Sequence, residues 1–275
     1  MPRRTVPSST AEPDAGSWHL VDDLEVARDG AAEMEADLAL LDRARSGGEA
    51  RLRIYRFHAP TLTIGRFQPD TDVDVGAATR LGVDVVRRPT GGRALLHGAE
   101  VTYAVALRRP PGTAGAVDAL YCTLADALVR ALAMLGVTAA VAPHPDPATS
   151  GVCLTGVQGA DLRVGGRKVS GSAQLQRSGW VLQHGSILLG RLPFDEVDLL
   201  RFPTDDDRAA ARAGLRSKTV TLEELGAPTD RRVVADALIS GFTSCGAPGE
   251  TRRGSGEPST LTEGRRFVAA CSPRR

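Results

Sequence analysis

Asp161-Leu162-Arg163-Val164-Gly165-Gly166-Arg167-Lys168-Val169-Ser170-Gly171-Ser172-Ala173-Gln174 holds two short β-rich runs around a Gly-Gly pair. Both positions of a two-residue hairpin turn can take positive φ, which glycine adopts without strain. The spacing predicts a hairpin of strands 161–164 and 167–173, with Val164 opposite Arg167 and Arg163 opposite Lys168. Strand alternation then predicts Lys168, Ser170 and Ser172 on one face and Val169, Gly171 and Ala173 on the other. The first set is polar and suited to line a site, the second small or apolar and suited to lie on a core. Of 34 basic residues, only Lys168 and Lys218 are lysine. An ammonium is a compact point charge where a guanidinium is a planar fork. Lys168 is therefore a candidate for chemistry; the alternative is a lysine that survives by chance in an Arg-rich chain.

Antiparallel runs recur along the chain. Residues 52–57 and 61–67, separated by His58-Ala59-Pro60, read as a second hairpin. Residues 83–87 and 101–107 read as strands flanking Pro89-Thr90-Gly91-Gly92, and 181–189 as a further strand. Helical spacing of Met34, Leu38 and Leu41 predicts a helix over 31–45, capped by Asp29 or Gly30 and stopped at Gly47-Gly48. Val117, Leu120, Leu124, Leu128, Ala131 and Leu135 predict a long helix over 116–135, ended by Gly136. Shorter helices fill 194–245. Antiparallel strands with interspersed helices give an α+β class, and no GxGxxG opens a helix after a strand.

The chain has 275 residues, a net charge of +1 and 42% hydrophobic residues, which suits a globular protein and gives no argument for general nucleic-acid binding. No apolar run approaches a membrane span. Residues 1–17 read as a disordered tail without a secretory h-region, which predicts a cytoplasmic protein. Residues 18–245 read as one domain and 246–275 as a poorly structured C-terminal tail. Cys122, Cys153, Cys245 and Cys271 have no CxxC pairing. That argues against zinc and against a disulfide framework and predicts free thiols. No metal is expected.

Arg87-Arg88-Pro89-Thr90-Gly91-Gly92-Arg93 is either a structural turn or a place where backbone N–H groups approach a ligand oxygen. Cys153 precedes Lys168 by 15 residues, in a loop that can fold back over the hairpin. A nearby ammonium favours thiolate over thiol, so a Cys153–Lys168 pair is a plausible nucleophile. The alternative is a small buried hydrophobe, which suits Cys122 and Cys245. His97 and His184 are candidates for a base or ligand, or for hydrogen-bonded structural roles.

Three blocks, in order and spacing, resemble the lipoate–protein ligase and octanoyltransferase family. They are Arg87 to His97 followed by Glu100-Val101-Thr102-Tyr103, then Gly166 to Gln174, then Leu182-Gln183-His184-Gly185-Ser186-Ile187-Leu188. The likeness runs from about Trp18 to Leu225. Within the family the chain is most similar to the cysteine-dependent octanoyltransferases. Arg93 stands where ATP-using ligases usually have a third glycine, and His97-Gly98-Ala99-Glu100-Val101 replaces their His-Asp-x-Gly-Asn. Leu154-Thr155-Gly156 departs from the transferase pattern after the cysteine.

The resemblance implies a biotin/lipoate protein ligase-type catalytic fold, with a mixed, mostly antiparallel sheet and flanking helices. It implies octanoyl transfer from acyl carrier protein to a lysine of a lipoyl domain, such as the glycine-cleavage H protein, through a Cys153 acyl-enzyme. Lys168 is the second catalytic residue. Arg88, Thr90, Gly91, Gly92, Arg93, His97, Ser170, Gly171, Ser172, Ala173, His184 and Gly185 are the implied acyl-binding residues. No cofactor, nucleic acid or membrane is implied. The alternatives are an ATP-dependent lipoate–protein ligase, an amidotransferase drawing octanoate from modified H protein, and a non-catalytic acyl- or carrier-binding paralogue.

Overall fold

The computed structural model describes residues 18–109, 117–142 and 161–245. The predicted tails therefore lie outside the described residues. In chain order the elements are β1 (His19–Asp22), α1 (Gly30–Gly47), β2 (Arg51–Tyr55), β3 (Thr61–Ile64), α2 (Val75–Leu81), β4 (Asp84–Arg87), β5 (Leu95–His97) and β6 (Glu100–Arg108). Then come α3 (Val117–Met134), β7 (Ala140–Val141), β8 (Leu162–Val164), β9 (Arg167–Arg177), β10 (Trp180–Leu188), α4 (Asp205–Lys218) and α5 (Arg231–Cys245). The α+β class and the mixed, mostly antiparallel sheet are as expected. Seven described strands form one sheet in the order β1-β2-β6-β10-β9-β8-β7, parallel at β1–β2 and antiparallel elsewhere. Three more form a small sheet, β4-β3-β5.

Alternation along β6 divides the molecule. Val101, Tyr103, Val105 and Leu107 pack under α3 and α5 with Leu124, Leu128, Leu238 and Phe242. Ala104 and Ala106 face the other way, against Met34, Leu40, Leu41 and Ala44 of α1. The small sheet closes on a separate cluster, in which Leu62 and Ile64 meet Ala211 and Leu215 of α4. Each buried aliphatic side chain contributes about 1.5–3 kcal/mol relative to exposure, so the large sheet is clamped from both faces. The candidate site lies on the face carrying α1.

Asp29 caps α1 by accepting from the Ala32 amide at 2.8 Å, and Gly48 closes it in the left-handed region. The Gly165-Gly166 hairpin forms as predicted, with φ of 56° and 81° and with the pairs Val164–Arg167 and Arg163–Lys168. The hairpin predicted around His58-Ala59-Pro60 does not form. β2 pairs with β1 and β6, whereas β3 pairs with β4 and β5, so the connection passes from one sheet to the other. The three residues there lack the positive-φ turn chemistry of a tight hairpin, and both edges of each strand are taken by distant partners. The free-thiol expectation also fails at Cys122, which is disulfide-bonded.

Candidate active site

A narrow slot opens between the two sheets. Its floor is the α1-facing side of β6, β9 and β10, at Thr102, Gly171, Ala173, His184 and Ser186. Thr63 of β3, Leu95 and His97 of β5 and Arg88 close it from the small sheet, and Met34, Tyr55 and Phe57 supply its apolar wall.

 Within β5, Leu95 and His97 point into the slot and Leu96 points away, into a second cavity of about 270 Å³ that also touches Glu100, Leu188 and Glu196. His97 Nδ1 and Glu100 Oε1, 3.6 Å apart, stand in the wall between the two spaces.

Of the predicted acyl-binding residues, Arg88, His97, Gly171, Ser172, Ala173, His184 and Gly185 line the slot. Arg88 also braces its own loop. Its guanidinium donates to the carbonyls of Gly91 at 2.8 Å and Arg93 at 2.7 Å, and to the carbonyl and hydroxyl of Thr63 at 3.2 Å. The loop lies so close to the end of β3 that a Cβ at Gly65 would stand 1.9 Å from the Gly92 carbonyl oxygen. Thr90 is buried behind the lining, with its hydroxyl 2.7 Å from His184 Nε2. Arg93 turns its side chain to solvent. Ser170 pairs with Leu162 and Ile187, both in the core under α3 and α5, and so faces that core rather than the slot.

Lys168 is 2% exposed, and its Nζ donates to Asp161 Oδ2 at 2.8 Å. A Cβ at Gly171 would sit 2.7 Å from Lys168 Cε, so the lysine stem crosses the glycine that lines the slot. The predicted division of faces is thereby corrected. Ser170 pairs with Leu162 and Lys168 with Arg163, which leaves Val169 as an extra residue in a β-bulge. The bulge puts Lys168 on the side of Gly171, while Val169 enters the main core and Ser172 bonds the Tyr103 hydroxyl at 2.7 Å. Sequence reading missed Asp161. Its signal was present: Asp161 is two residues from Arg163, the partner of Lys168, and so shares the lysine's face. Cys153 lies outside the described residues.

A buried charge cluster underlies the slot and was not foreseen. Arg53 Nη1 donates to Asp37 Oδ1 at 2.8 Å, its Nε donates to Asp23 at 2.8 Å, and its Nη2 bonds Glu33. Asp37 Oδ2 accepts from the Tyr55 hydroxyl at 2.9 Å and meets His184 Nδ1 at 2.8 Å. Burial works against the Arg53 charge, yet Asp37, Tyr55 and Glu33 hold its pKa above the ordinary value. Burial raises Glu33 and pushes Tyr55 well above the usual phenol range. Burial lowers His97, with Glu100 opposing, and drives Glu196 up to about 7. Helical spacing places Asp37 on the buried face, three residues after Met34 and four before Leu41, and Glu33 one turn earlier, but that face was read from its apolar residues alone.

Comparison with known proteins identifies the family and the fold. The lipoyl protein ligase A/B catalytic domain matches residues 29–243. The octanoyltransferase LipM of Kyrpidia tusciae is 41% identical over 212 residues, covering 72% of this chain and 77% of that protein. The octanoyltransferase LipM of Symbiobacterium thermophilum is 35% identical, covering 90% of this chain and 94% of its own length. Among solved structures, a bipartite lipoate protein ligase from Thermoplasma acidophilum superposes with a TM-score of 0.65 at 21% identity, over 84% of this chain and 83% of that one. A lipoate-protein ligase A bound with ATP gives 0.62 at 23% identity, over 84% and 85%, and both likenesses speak to the fold. The chain belongs to the lipoyl protein ligase A/B catalytic-domain family and is an enzyme of its octanoyl-transferring kind.

Proposed function

We propose that the enzyme takes octanoyl from acyl carrier protein and delivers it to a lysine of a lipoyl domain, such as the glycine-cleavage H protein, in the cytoplasm. The observation that carries this reading is the narrow apolar-walled slot with a buried ammonium at its edge. The Cys153 thiolate attacks the donor thioester carbon, and the carrier thiol leaves with a proton. The acceptor amine then attacks the Cys153 thioester, loses a proton, and releases the thiolate. Thioester exchange is nearly balanced and amide formation runs downhill, so no ATP is consumed. Lys168 favours the thiolate of Cys153 and the developing oxyanion. Asp161 holds the ammonium in place at 2.8 Å. Six buried methylenes contribute about 5 kcal/mol, at roughly 0.8 kcal/mol each, which favours octanoyl over shorter chains.

The test is incubation with octanoyl-acyl carrier protein followed by intact-mass measurement. A hydroxylamine-labile octanoyl adduct is expected, absent from Cys153→Ser. An adduct that persists in that variant, or an acceptor modified only when free octanoate and ATP are supplied, overturns the proposal.

A further inference from the structure

We propose that Asp37 and His184 are positioning residues that orient the Thr90 hydroxyl, and with it the 90–92 loop that follows the slot-lining Arg88. Four elements meet here through buried groups: β2 supplies Arg53 and Tyr55, α1 supplies Asp37, β10 supplies His184, and the loop supplies Thr90. The direction of each hydrogen bond follows from the donor inventory. Arg53 has donors only, and its Nη1 donates to Asp37 Oδ1 at 2.8 Å. The Tyr55 hydroxyl donates to Asp37 Oδ2 at 2.9 Å. An ionised carboxylate has only acceptors, so the His184 Nδ1 at 2.8 Å carries the hydrogen and donates it. In the neutral ring Nε2 is then the acceptor, and the Thr90 hydroxyl at 2.7 Å is the donor. Asp37 thus selects the imidazole tautomer, and the tautomer selects which way the Thr90 hydroxyl points.

The bond from Thr90 to His184 ties the loop to the floor strand across 94 residues of sequence. The other ties of the loop run to its own sheet: the Arg66 amide donates to the Thr90 carbonyl at 2.8 Å, and Arg88 grips the carbonyls of Gly91 and Arg93. Those contacts shape the loop but do not set its height above β10. The Thr90–His184 bond does. The resemblance implies that Gly91 and Gly92 bind the acyl group, so under the transfer reading above, on which this inference rests, their backbone meets the acyl carbonyl. A small change in that height then changes the reacting geometry more than the affinity for the chain.

The experiment combines kinetics with imidazole tautomer measurement. Thr90→Val keeps the shape and removes the hydroxyl, and Thr90→Ser restores it. Asp37→Asn presents an amide donor to Nδ1 and should invert the ring. In octanoyl transfer, Thr90→Val is expected to lower kcat about tenfold with little change in KM. Thr90→Ser should recover most of that loss. The Asp37→Asn, Thr90→Val double variant should be no slower than Asp37→Asn alone. Nitrogen-15 spectra of histidine-labelled protein should show His184 protonated at Nδ1, and at Nε2 in Asp37→Asn. Thr90→Val with wild-type kcat, additive losses in the double variant, or wild-type His184 protonated only at Nε2 would each overturn the proposal. If Asp37→Asn does not fold, Thr90→Val and the wild-type spectrum still decide. If the wild-type enzyme transfers no octanoyl, the transfer reading fails, and the spectra continue to report on the hydrogen-bond chain.

Discussion

Gly65→Ala is expected to displace the 90–92 loop while leaving the rest of the fold standing. A Cβ at this position would lie 1.9 Å from the Gly92 oxygen and 2.7 Å from its carbonyl carbon. A carbon and a carbonyl oxygen rest at about 3.3 Å or more. Backbone must therefore move by more than about 1 Å, since no flexible side-chain end is involved. The Gly92 peptide has little freedom to yield, because Arg88 holds the carbonyls on both sides of it and the Arg66 amide holds that of Thr90. Overpacking of this kind costs about 1–3 kcal/mol. In a folded unit of this size that lowers Tm by roughly 2–12 °C. A shift of about 1 Å at a reacting centre lowers turnover by about 10²-fold. Octanoyl transfer followed by mass spectrometry, alongside thermal unfolding, measures both. Gly214→Ala on α4, where a Cβ meets nothing within 4 Å, is the control and should keep full activity. A Gly65→Ala enzyme with unchanged Tm and turnover would refute the claim that the close approach of Gly92 to β3 requires a glycine at position 65.

Glu196→Gln should flatten the pH dependence of stability. The native carboxyl keeps its proton to about pH 7, whereas the unfolded chain loses it near 4.5. Between those values the native state binds more protons, so wild-type stability falls as pH rises, and the penalty is complete above about 7. It amounts to at most about 3 kcal/mol. Denaturant unfolding at pH 5 and pH 8 should show the variant more stable than wild type at pH 8 only; an equal gain at both pH values would contradict the burial explanation. The two lysines should also differ. Lys168→Arg forces a larger group into the space beside Gly171 and Asp161 and should lose about 10²-fold in kcat/KM, whereas Lys218→Arg should stay near wild type. Equal behaviour of the pair in the transfer assay would remove Lys168 from the chemistry.

Local rules carried the reading a long way. Helical spacing located α1 and α3, Gly165-Gly166 turned its hairpin in the expected register, and the three ordered blocks pointed to the family. Each of these depends on residues close in sequence, where propensity, φ restrictions and periodicity act directly. Other features depended on groups far apart in the chain. Strand pairing sent β2 and β3 into different sheets, because the backbone donors at each strand's edges were satisfied by distant partners. A single bulged residue, Val169, kept Lys168 on the slot side beside Gly171 and sent Ser170 into the core, against simple alternation. Asp37 meets His184 across 147 residues, and Thr90 meets His184 across 94. No local pattern announces such buried polar partners. Their cost out of water is offset only where folding brings donor and acceptor together, so tertiary structure alone decided them.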